Sequence, residues 1–434
     1  MENKKLLLVL GALISVTVVI VIVLILRGLG GGGVNNAYIE FWGTFDSPVV
    51  YEAIIRDFEA QHQGAKIVYR QFPYEEYEQK LLNSLAAGTG PDLYMIHNTW
   101  LPKHGDKLKP LPEKIDDLKE PLLTVQNLKR DYVDVVFNDF VYSNQIYALP
   151  LYVDTLALYY NKDLFNTAGI TGPPQTWEEF NRDVELLTKL NSAGDILQSG
   201  AAMGTARNIN RSTDILQALM IQSGVPMTNA DKTQAIFERS AQSLDIGERT
   251  LQFFTDFANP ATRVYAWNDR LHYSVDSFIE GSLAMMLNYS HQADIIKSKN
   301  SRLNFAIAPM PQASLTDIKN FANYWGVGVA NKSQNSDLAW QFAAYLTSKE
   351  GATQYLNNTG RPSARRDLID LQRSDDEVGV FAVQSLTAKS WYQVDNVAIE
   401  KIFADMIEDI YYRRSSIKEA LRNAETKVNV LMQK

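Results

Sequence analysis

Strand-like and helix-like segments alternate near the start of the soluble part of the chain, and this order limits the possible folds more than any other feature. Strands are predicted at Tyr38–Trp42, Lys66–Phe72 and Asp92–Ile96. Apolar residues recur at helical spacing between them: Val50, Ala53, Ile54 and Phe58 in the first stretch, and Tyr77, Leu81 and Leu85 in the second. Strands that alternate with helices are typical of an α/β fold, in which a mostly parallel sheet is covered on both faces.

The loops after the first and third predicted strands are the expected place for a ligand. In open α/β sheets, ligands bind outside the carboxyl ends of the strands. Trp42 and Thr44 lie in the first of these loops, and Asn98 and Trp100 lie in the second. Each loop offers an aromatic plane beside hydrogen-bonding groups, so the mouth of a pocket is expected there.

A long apolar run lies close to the N-terminus. Leu6–Leu26 contains no charged residue and, at ~1.5 Å per residue, is long enough to cross a bilayer core of ~30 Å. A cleaved secretory signal is the alternative, but its apolar region would be only about 7 to 15 residues long and would end in small residues. We therefore expect an uncleaved transmembrane anchor at residues 1–27, with Lys4 and Lys5 on the cytoplasmic side, and a glycine-rich tether at residues 28–36.

Length and composition exclude several classes of protein. A chain of 434 residues exceeds the usual size of a single core, so two lobes with separate cores are expected. The net charge of -8 and the absence of a basic cluster argue against nucleic-acid binding. The chain has no cysteine, which excludes disulfides, thiolate metal sites and a cysteine nucleophile.

No catalytic or metal-binding motif is found in the sequence. There is no G-x-S-x-G elbow, no phosphate-binding G-x-x-x-x-G-K-[ST] loop and no H-E-x-x-H pair. The histidines lack the i,i+3 or i,i+4 spacing that brings two metal ligands onto one helix face. We therefore expect no cofactor, no metal and no enzymatic activity.

Aromatic residues beside turns and polar loops suggest a surface that binds a sugar. Any single aromatic residue is by default a core residue. A sugar, however, needs flat apolar planes for its C–H faces and carboxylates or amides for its hydroxyls. The candidate planes are Trp42, Trp100, Tyr289, Tyr324, Trp325 and Trp391. The candidate polar groups are Asp46, Asn98, Asp154, Asn288 and Arg361.

Six segments of the chain form a recognisable set. They are Gly88–Leu93, Tyr147–Pro150, Asp154–Phe165, Pro174–Phe180, Gly281–Met286 and Trp325–Val329. Together they resemble the family 1 extracellular solute-binding proteins of ABC importers, the family of maltose-binding protein. The resemblance covers nearly everything beyond the tether, although no single segment is specific to the family and none identifies the ligand.

The resemblance implies a periplasmic-binding-protein type II fold, in which two discontinuous α/β lobes are joined by a hinge that the chain crosses three times. By similarity, the crossings are expected near residues 151–154, 308–312 and 346–348. Lobe 1 is then expected to comprise residues 37–152 and 312–346, and lobe 2 residues 153–311 and 347–434.

The resemblance and the candidates above combine into one predicted ligand-binding set. Its members are Trp42, Thr44, Asp46, Asn98, Trp100, Asp154, Tyr289, Trp325, Arg361 and Trp391. A member of this family closes its hinge on a small polar solute and delivers it to permease subunits in the membrane. The resemblance therefore implies a monomer that binds a carbohydrate, with its binding domain extracellular or periplasmic.

Two other functions remain open on the sequence alone. A membrane-anchored glycan-active enzyme would need two carboxylates ~5 to 9.5 Å apart across a cleft, for which Asp46, Asp154 and Glu280 are candidates. A ligand sensor would use the same closure to report to a signalling partner instead of a permease.

Overall fold

The computed structural model describes residues 37–115, 118–238 and 245–433. The predicted anchor at residues 1–27 and the predicted tether at residues 28–36 lie outside this described part. Among the described residues, no helix is both long enough and apolar enough to cross a membrane.

Strands and helices of the described part alternate over most of its length, which confirms the α/β class. The strands are β1 Ala37–Gly43, β2 Ala65–Gln71, β3 Leu93–His97, β4 Leu108–Lys109, β5 Val141–Tyr142, β6 Gln145–Ile146, β7 Leu149–Pro150, β8 Asp154–Thr155, β9 Ala157–Asn161, β10 Lys189–Leu190, β11 Ile196–Ala201, β12 Leu283–Asn288, β13 Phe305–Ala308, β14 Asn320–Asn323, β15 Trp325–Ala330 and β16 Ala388–Lys389. The helices are Val49–Gln61, Tyr74–Ala87, Leu101–His104, Val125–Asp131, Asp134–Phe140, Lys162–Ala168, Trp177–Leu187, Ser212–Gln222, Ile246–Asp256, Ser274–Ile279, Gln292–Lys299, Ser336–Leu346, Lys349–Thr359, Arg366–Gln372, Gly379–Ser385, Asn396–Tyr411 and Ile417–Met432.

Two sheets form the centres of two lobes. In the first sheet the strand order is β2-β1-β3-β15-β4, with β7 beside β15. β1 is parallel to β2 and β3, as predicted, whereas β15 runs antiparallel to β3. The second sheet has the order β10-β11-β12-β9-β13, and only β11 and β12 are parallel neighbours. The expected parallel arrangement is therefore limited to β1 to β3 in the first sheet and to β11 and β12 in the second.

Two glycines of β15 let the neighbouring strands approach closely. A Cβ on Gly326 would lie 2.5 Å from the carbonyl oxygen of Leu149 in β7, and a Cβ on Gly328 would lie 2.5 Å from the side chain of Leu108 in β4. A larger residue would force these strands apart. This close approach explains the glycines in the segment Trp325–Val329.

A third, smaller sheet joins the lobes, and we call it the hinge sheet. Its strand order is β16-β14-β8, and each strand comes from a different passage of the chain between the two hydrophobic cores. The pairs of core residues that flank these passages are Val153 and Leu156, Phe321 and Ala322, and Ala388 and Trp391. All three passages are therefore tied to one another by backbone hydrogen bonds.

The packing corrects the predicted third crossing near residues 346–348. Ser348 caps the helix Lys349–Thr359 by accepting a hydrogen bond from the amide of Gly351. This helix still belongs to the first lobe, because Tyr355 is buried in the first core and stacks on Tyr51 with a centroid distance of 5.9 Å. Beyond the helix Arg366–Gln372, Phe381 packs in the second core, while Ala382 and Ala388 still pack in the first.

The second crossing also lies later than predicted. Met310 and Phe321 still pack in the second core, and Ala322 is the first residue beyond them to join the core of the first lobe. The change of lobe therefore takes place along β14 and not at residues 308–312. The segment 312–319 precedes the hinge sheet, so it does not form part of the first core.

Candidate functional site

The carboxyl ends of β1, β2 and β3 lie at one edge of the first sheet and face the second lobe across a cleft. Trp325, the first residue of β15, lies at the centre of this edge. Its ring contacts the rings of Trp100, His97 and Phe45 at centroid distances of 5.1, 5.3 and 5.6 Å. Trp325 and Trp100 are almost fully buried, so they form the base of the cleft wall.

Phe45 and Tyr74 form an exposed aromatic pair at the mouth of the cleft. Their rings stack at 5.3 Å, and the residues are 47% and 49% exposed. Phe45 has a φ of +64°, a left-handed conformation that costs a non-glycine residue free energy and is often associated with function. The sequence analysis missed both residues. The rule that ligands bind at the carboxyl ends of strands could have found Tyr74, since it follows β2.

A cavity of about 390 Å³ lies beside the aromatic pair. Thr44 lines this cavity, and its buried side-chain oxygen has no hydrogen-bond partner among the described residues. A buried hydroxyl without a partner costs free energy, which a ligand hydroxyl would recover. A sugar hydroxyl could form the hydrogen bond that the Thr44 hydroxyl lacks.

The second lobe contributes a polar wall to the cleft. The guanidinium of Arg211 lies 5.5 Å from the centre of the Tyr289 ring, and the Tyr289 hydroxyl donates to Asp214 Oδ2 at 2.8 Å. Burial raises the pKa of Asp214, and the charge of Arg211 partly offsets this rise. The Nε of Arg211 is buried and donates to no group in the described part of the chain.

Arg211 also acts on groups of the opposite lobe. Burial lowers the pKa of His97 to about 4, and the charge of Arg211 adds to this lowering. Burial raises the pKa of Tyr74, and Arg211 opposes that rise more than any other charge. Arg211 therefore lies within electrostatic reach of both sides of the cleft. It was not among the residues predicted from the sequence.

Several polar contacts join the two lobes across the cleft. Trp100 Nε1 donates to Asn396 Oδ1 at 3.2 Å. Lys103 Nζ lies 2.9 Å from a carboxylate oxygen of Glu78 in the first lobe and 2.9 Å from one of Asp395 in the second. The helix that begins at Asn396 thus meets the first lobe directly at the edge of the cleft.

Asp46 and Arg361 form a buried ion pair inside the first lobe. Arg361 Nη2 donates to Asp46 Oδ1 at 2.7 Å. The hydroxyls of Tyr51 and Tyr355 donate to Asp46 Oδ2 at 3.0 and 2.9 Å, and the guanidinium covers the ring of Tyr152 at 4.3 Å. Both oxygens of Asp46 already accept hydrogen bonds. We therefore expect the predicted pair of Asp46 and Arg361 to stabilise the fold of the first lobe and not to contact the ligand directly.

Asn98 and Asp154 belong to polar networks at the hinge. Asn98 Nδ2 donates to Asp139 Oδ2 at 3.1 Å. Asp154 Oδ2 accepts from the amide and the hydroxyl of Ser290 at 3.0 and 2.6 Å, which ties the hinge sheet to the second lobe. Burial raises the pKa of Asp154 to about 6, although hydrogen bonds from Ser290 and Thr155 oppose the rise.

Trp42 and Trp391 lie in the two cores. Trp42 packs on Phe72, and its indole donates to Glu40 Oε1 at 2.7 Å. The indole of Trp391 donates to Gln217 Oε1 at 2.6 Å. The structure therefore brings Thr44, Trp100 and Trp325 together on one wall and Tyr289 onto the other, while the donors of Trp42 and Trp391 are already engaged.

The three carboxylates considered for catalysis have different surroundings. Asp46 is held in its ion pair and Asp154 in the hinge network, while Glu280 is about half exposed and lies 3.2 Å from His272 Nδ1. Among the described residues, no group of three or more His, Cys, Asp or Glu could hold a metal ion.

Asp139 is expected to make the stability of the protein depend on pH. Burial raises its pKa to about 6, while hydrogen bonds from Ser390, Asn98 and Tyr324 oppose the rise. Between about pH 4 and pH 6 the folded state then keeps a proton that the unfolded state has released, so the free energy of unfolding falls as the pH rises. Urea unfolding across this pH range measures the free energy of unfolding, which should fall less steeply with pH in Asp139→Asn than in the wild type. Equal slopes of this free energy against pH would contradict the assignment.

Two hinged lobes with a polar and aromatic cleft between them have the geometry that traps a small ligand, so the fold and the site define a two-lobed binding protein. Residues 43–353 match the model of the family described as bacterial extracellular solute-binding protein. The chain belongs to this family, which confirms the resemblance seen in the sequence.

Comparisons with individual proteins agree with this assignment. A putative binding protein of Brucella abortus (strain 2308) is 22% identical over 396 residues, which cover 88% of this chain and 90% of the relative. The maltotriose-binding protein of Pyrococcus abyssi is 25% identical over 309 residues, covering 69% of this chain and 59% of the relative. The sugar-binding protein MalE from Xanthomonas citri superposes with a TM-score of 0.75 at 20% identity, covering 92% of this chain and 98% of that protein. This last similarity supports the fold.

Proposed function

We propose that this chain captures a carbohydrate outside the cell and delivers it to an ABC importer without transforming it. The observation that carries this proposal is the wall formed by Phe45, Tyr74 and Trp325 beside the unpaired hydroxyl of Thr44. Aromatic planes fit the C–H faces of a sugar, and the hydroxyl fits its polar edge. The maltotriose-binding relative and the sugar-binding structure of similar fold support the same ligand class.

Hinge closure supplies the mechanism that we propose. A ligand that touches both walls stabilises the closed arrangement through contacts that exist only there. Arg211 and Tyr289 on one side and Thr44 and Trp325 on the other can contact the same small molecule. Selectivity then follows from the cost of about 1–3 kcal/mol for each buried polar group that a wrong ligand leaves unpaired.

The location and partners are part of the same proposal. The uncharged run Leu6–Leu26 would hold the protein at the membrane, and residues 28–36 would let the binding domain move near its permease. Membership of an extracellular solute-binding family supports a binding domain outside the cytoplasm. We propose that the protein works as a monomer, because closure of one chain forms the whole cleft.

Thermal unfolding of the purified protein against a panel of mono- and oligosaccharides tests this function. A ligand at 100 times its Kd should raise the free energy of unfolding by about 2.7 kcal/mol. The bound sugar should be recovered unchanged. Failure of every sugar to raise the Tm would reject the ligand class, and new reducing ends would favour the enzyme over the binding protein.

A further inference from the structure

A second cavity lies entirely in the second lobe, and we call it the distal pocket. It encloses about 520 Å³ between the C-terminal half of helix Ile246–Asp256, residues 258–270 and residues 410–417. This volume lies within the range of about 300–1,000 Å³ that is typical of small-molecule sites. Nothing in the proposed capture mechanism uses this pocket.

The distal pocket is too far from the cleft to be part of it. Helix Asn396–Tyr411 has its first residue at the cleft, bonded to Trp100, and its last residue in the lining of the distal pocket. Its 16 residues span about 24 Å at 1.5 Å per residue. A small ligand in the distal pocket could not reach the cleft, so the two places would bind independently.

One wall of the distal pocket is an aromatic corner held in place by a carboxylate. The hydroxyls of Tyr411 and Tyr412 donate to the two carboxylate oxygens of Asp269 at 2.9 and 3.0 Å. The amide of Asp269 donates in turn to the Tyr411 hydroxyl at 3.2 Å. The two rings lie 4.9 Å apart at an interplanar angle of 70°. These bonds fix the rings before any ligand arrives, which lowers the entropic cost of binding.

The polar lining offers both hydrogen-bond acceptors and donors. Asp256 is partly buried, and Gln252 is the one side chain of the described residues that donates to its carboxylate. Arg413 also lines the pocket, and it forms no ion pair with any described residue. Asp269 and Arg270 add one charge of each sign. The lining therefore has balanced charge, which favours a neutral polar ligand over an ion.

We propose that the distal pocket is a second binding site, for one or two neutral sugar rings. The fixed rings of Tyr411 and Tyr412 would contact the C–H face of a sugar. The Asp256 carboxylate would accept hydrogen bonds from the sugar hydroxyls, and the Arg413 guanidinium would donate hydrogen bonds to them. The site holds sugar at the surface of the second lobe, separate from the molecule that is carried in the cleft.

Saturation-transfer NMR on the full chain tests this site, with D-glucose, D-galactose and maltotriose at millimolar concentration as probes. The double variant Phe45→Ala/Tyr74→Ala, which weakens the cleft, should still transfer magnetisation to at least one probe. Adding Tyr412→Ala to it should weaken that binding by about tenfold or more. Tyr412 is half exposed, so its removal should leave the Tm nearly unchanged.

Two further variants make the outcome decisive. Asp256→Asn tests the polar side of the pocket without removing a ring, and it should also weaken binding. Tyr142→Ala removes an exposed tyrosine of the first lobe and should have no effect. If no probe binds the cleft double variant, or if binding survives both distal substitutions, the distal pocket is not a sugar site. Neither result would bear on sugar binding by the wild-type cleft.

Discussion

Arg361→Ala is expected to lower the free energy of unfolding by about 3–5 kcal/mol. The substitution leaves the Asp46 carboxylate buried without its cation, and the two tyrosine hydroxyls that remain cannot compensate for a full charge. The Arg361 side chain is only 19% exposed and that of Asp46 only 4%, so water cannot replace the lost partner easily. Removal of one member of a buried pair is costly for this reason.

Urea unfolding with two comparison variants separates this effect from a general loss of arginine. Arg373→Ala breaks an exposed i,i+3 pair with Asp370 and should change stability by less than about 1 kcal/mol. The double variant Arg361→Met/Asp46→Leu removes both charges and should recover much of the lost stability. If Arg361→Ala is as stable as wild type but binds ligand poorly, the pair belongs to the binding site instead.

The double variant Phe45→Ala/Tyr74→Ala is expected to weaken sugar binding by about 100-fold, or about 2.7 kcal/mol. If each ring removes about 50 Å² of apolar surface from water, burial at about 25 cal/mol per Å² contributes about 1.3 kcal/mol for each ring. Both residues are about half exposed without ligand, so the fold should lose little when they are truncated. Titration calorimetry with the best ligand from the sugar panel measures the change.

The same titration has a matched control. Tyr38 is 44% exposed at the amino end of β1, the end opposite the cleft, so Tyr38→Ala should bind like wild type. Each single variant, Phe45→Ala or Tyr74→Ala, should lose about tenfold. A change of less than threefold in the double variant would mean that the exposed aromatic pair does not touch the ligand.

The sequence predicted the parts of the fold that local patterns encode. β1, β2 and β3 lie where the apolar spacing indicated, and the carboxyl-end rule led to Thr44 and Trp100 in the cleft wall. The loop after β2 follows the same rule, so Tyr74 was predictable in the same way although it was not among the predicted residues. Phe45 was missed because its left-handed backbone gives no signal in a single sequence.

Pairings between distant segments could not be predicted in the same way. Asp46 and Arg361 are separated by 315 positions, and nothing in their neighbourhoods shows that each would neutralise the other. The helix Lys349–Thr359 has an apolar face that would fit either core. Its contacts with Tyr51 and Asp46 assign it to the first lobe and move the third crossing beyond residue 348. An apolar pattern shows that a face is buried, but it does not show what buries it.

The first core combines β1 with the helix Arg366–Gln372, and this has a consequence for how the protein is made. A ribosome that adds about 5–20 residues per second needs roughly 15–65 s to synthesise the ~330 residues between these two elements. During that interval the first core is incomplete, so the first lobe of the nascent chain cannot fold stably. Because the last core segments are synthesised late, the chain can remain unfolded while it passes through a translocation channel, and it then folds on the other side of the membrane.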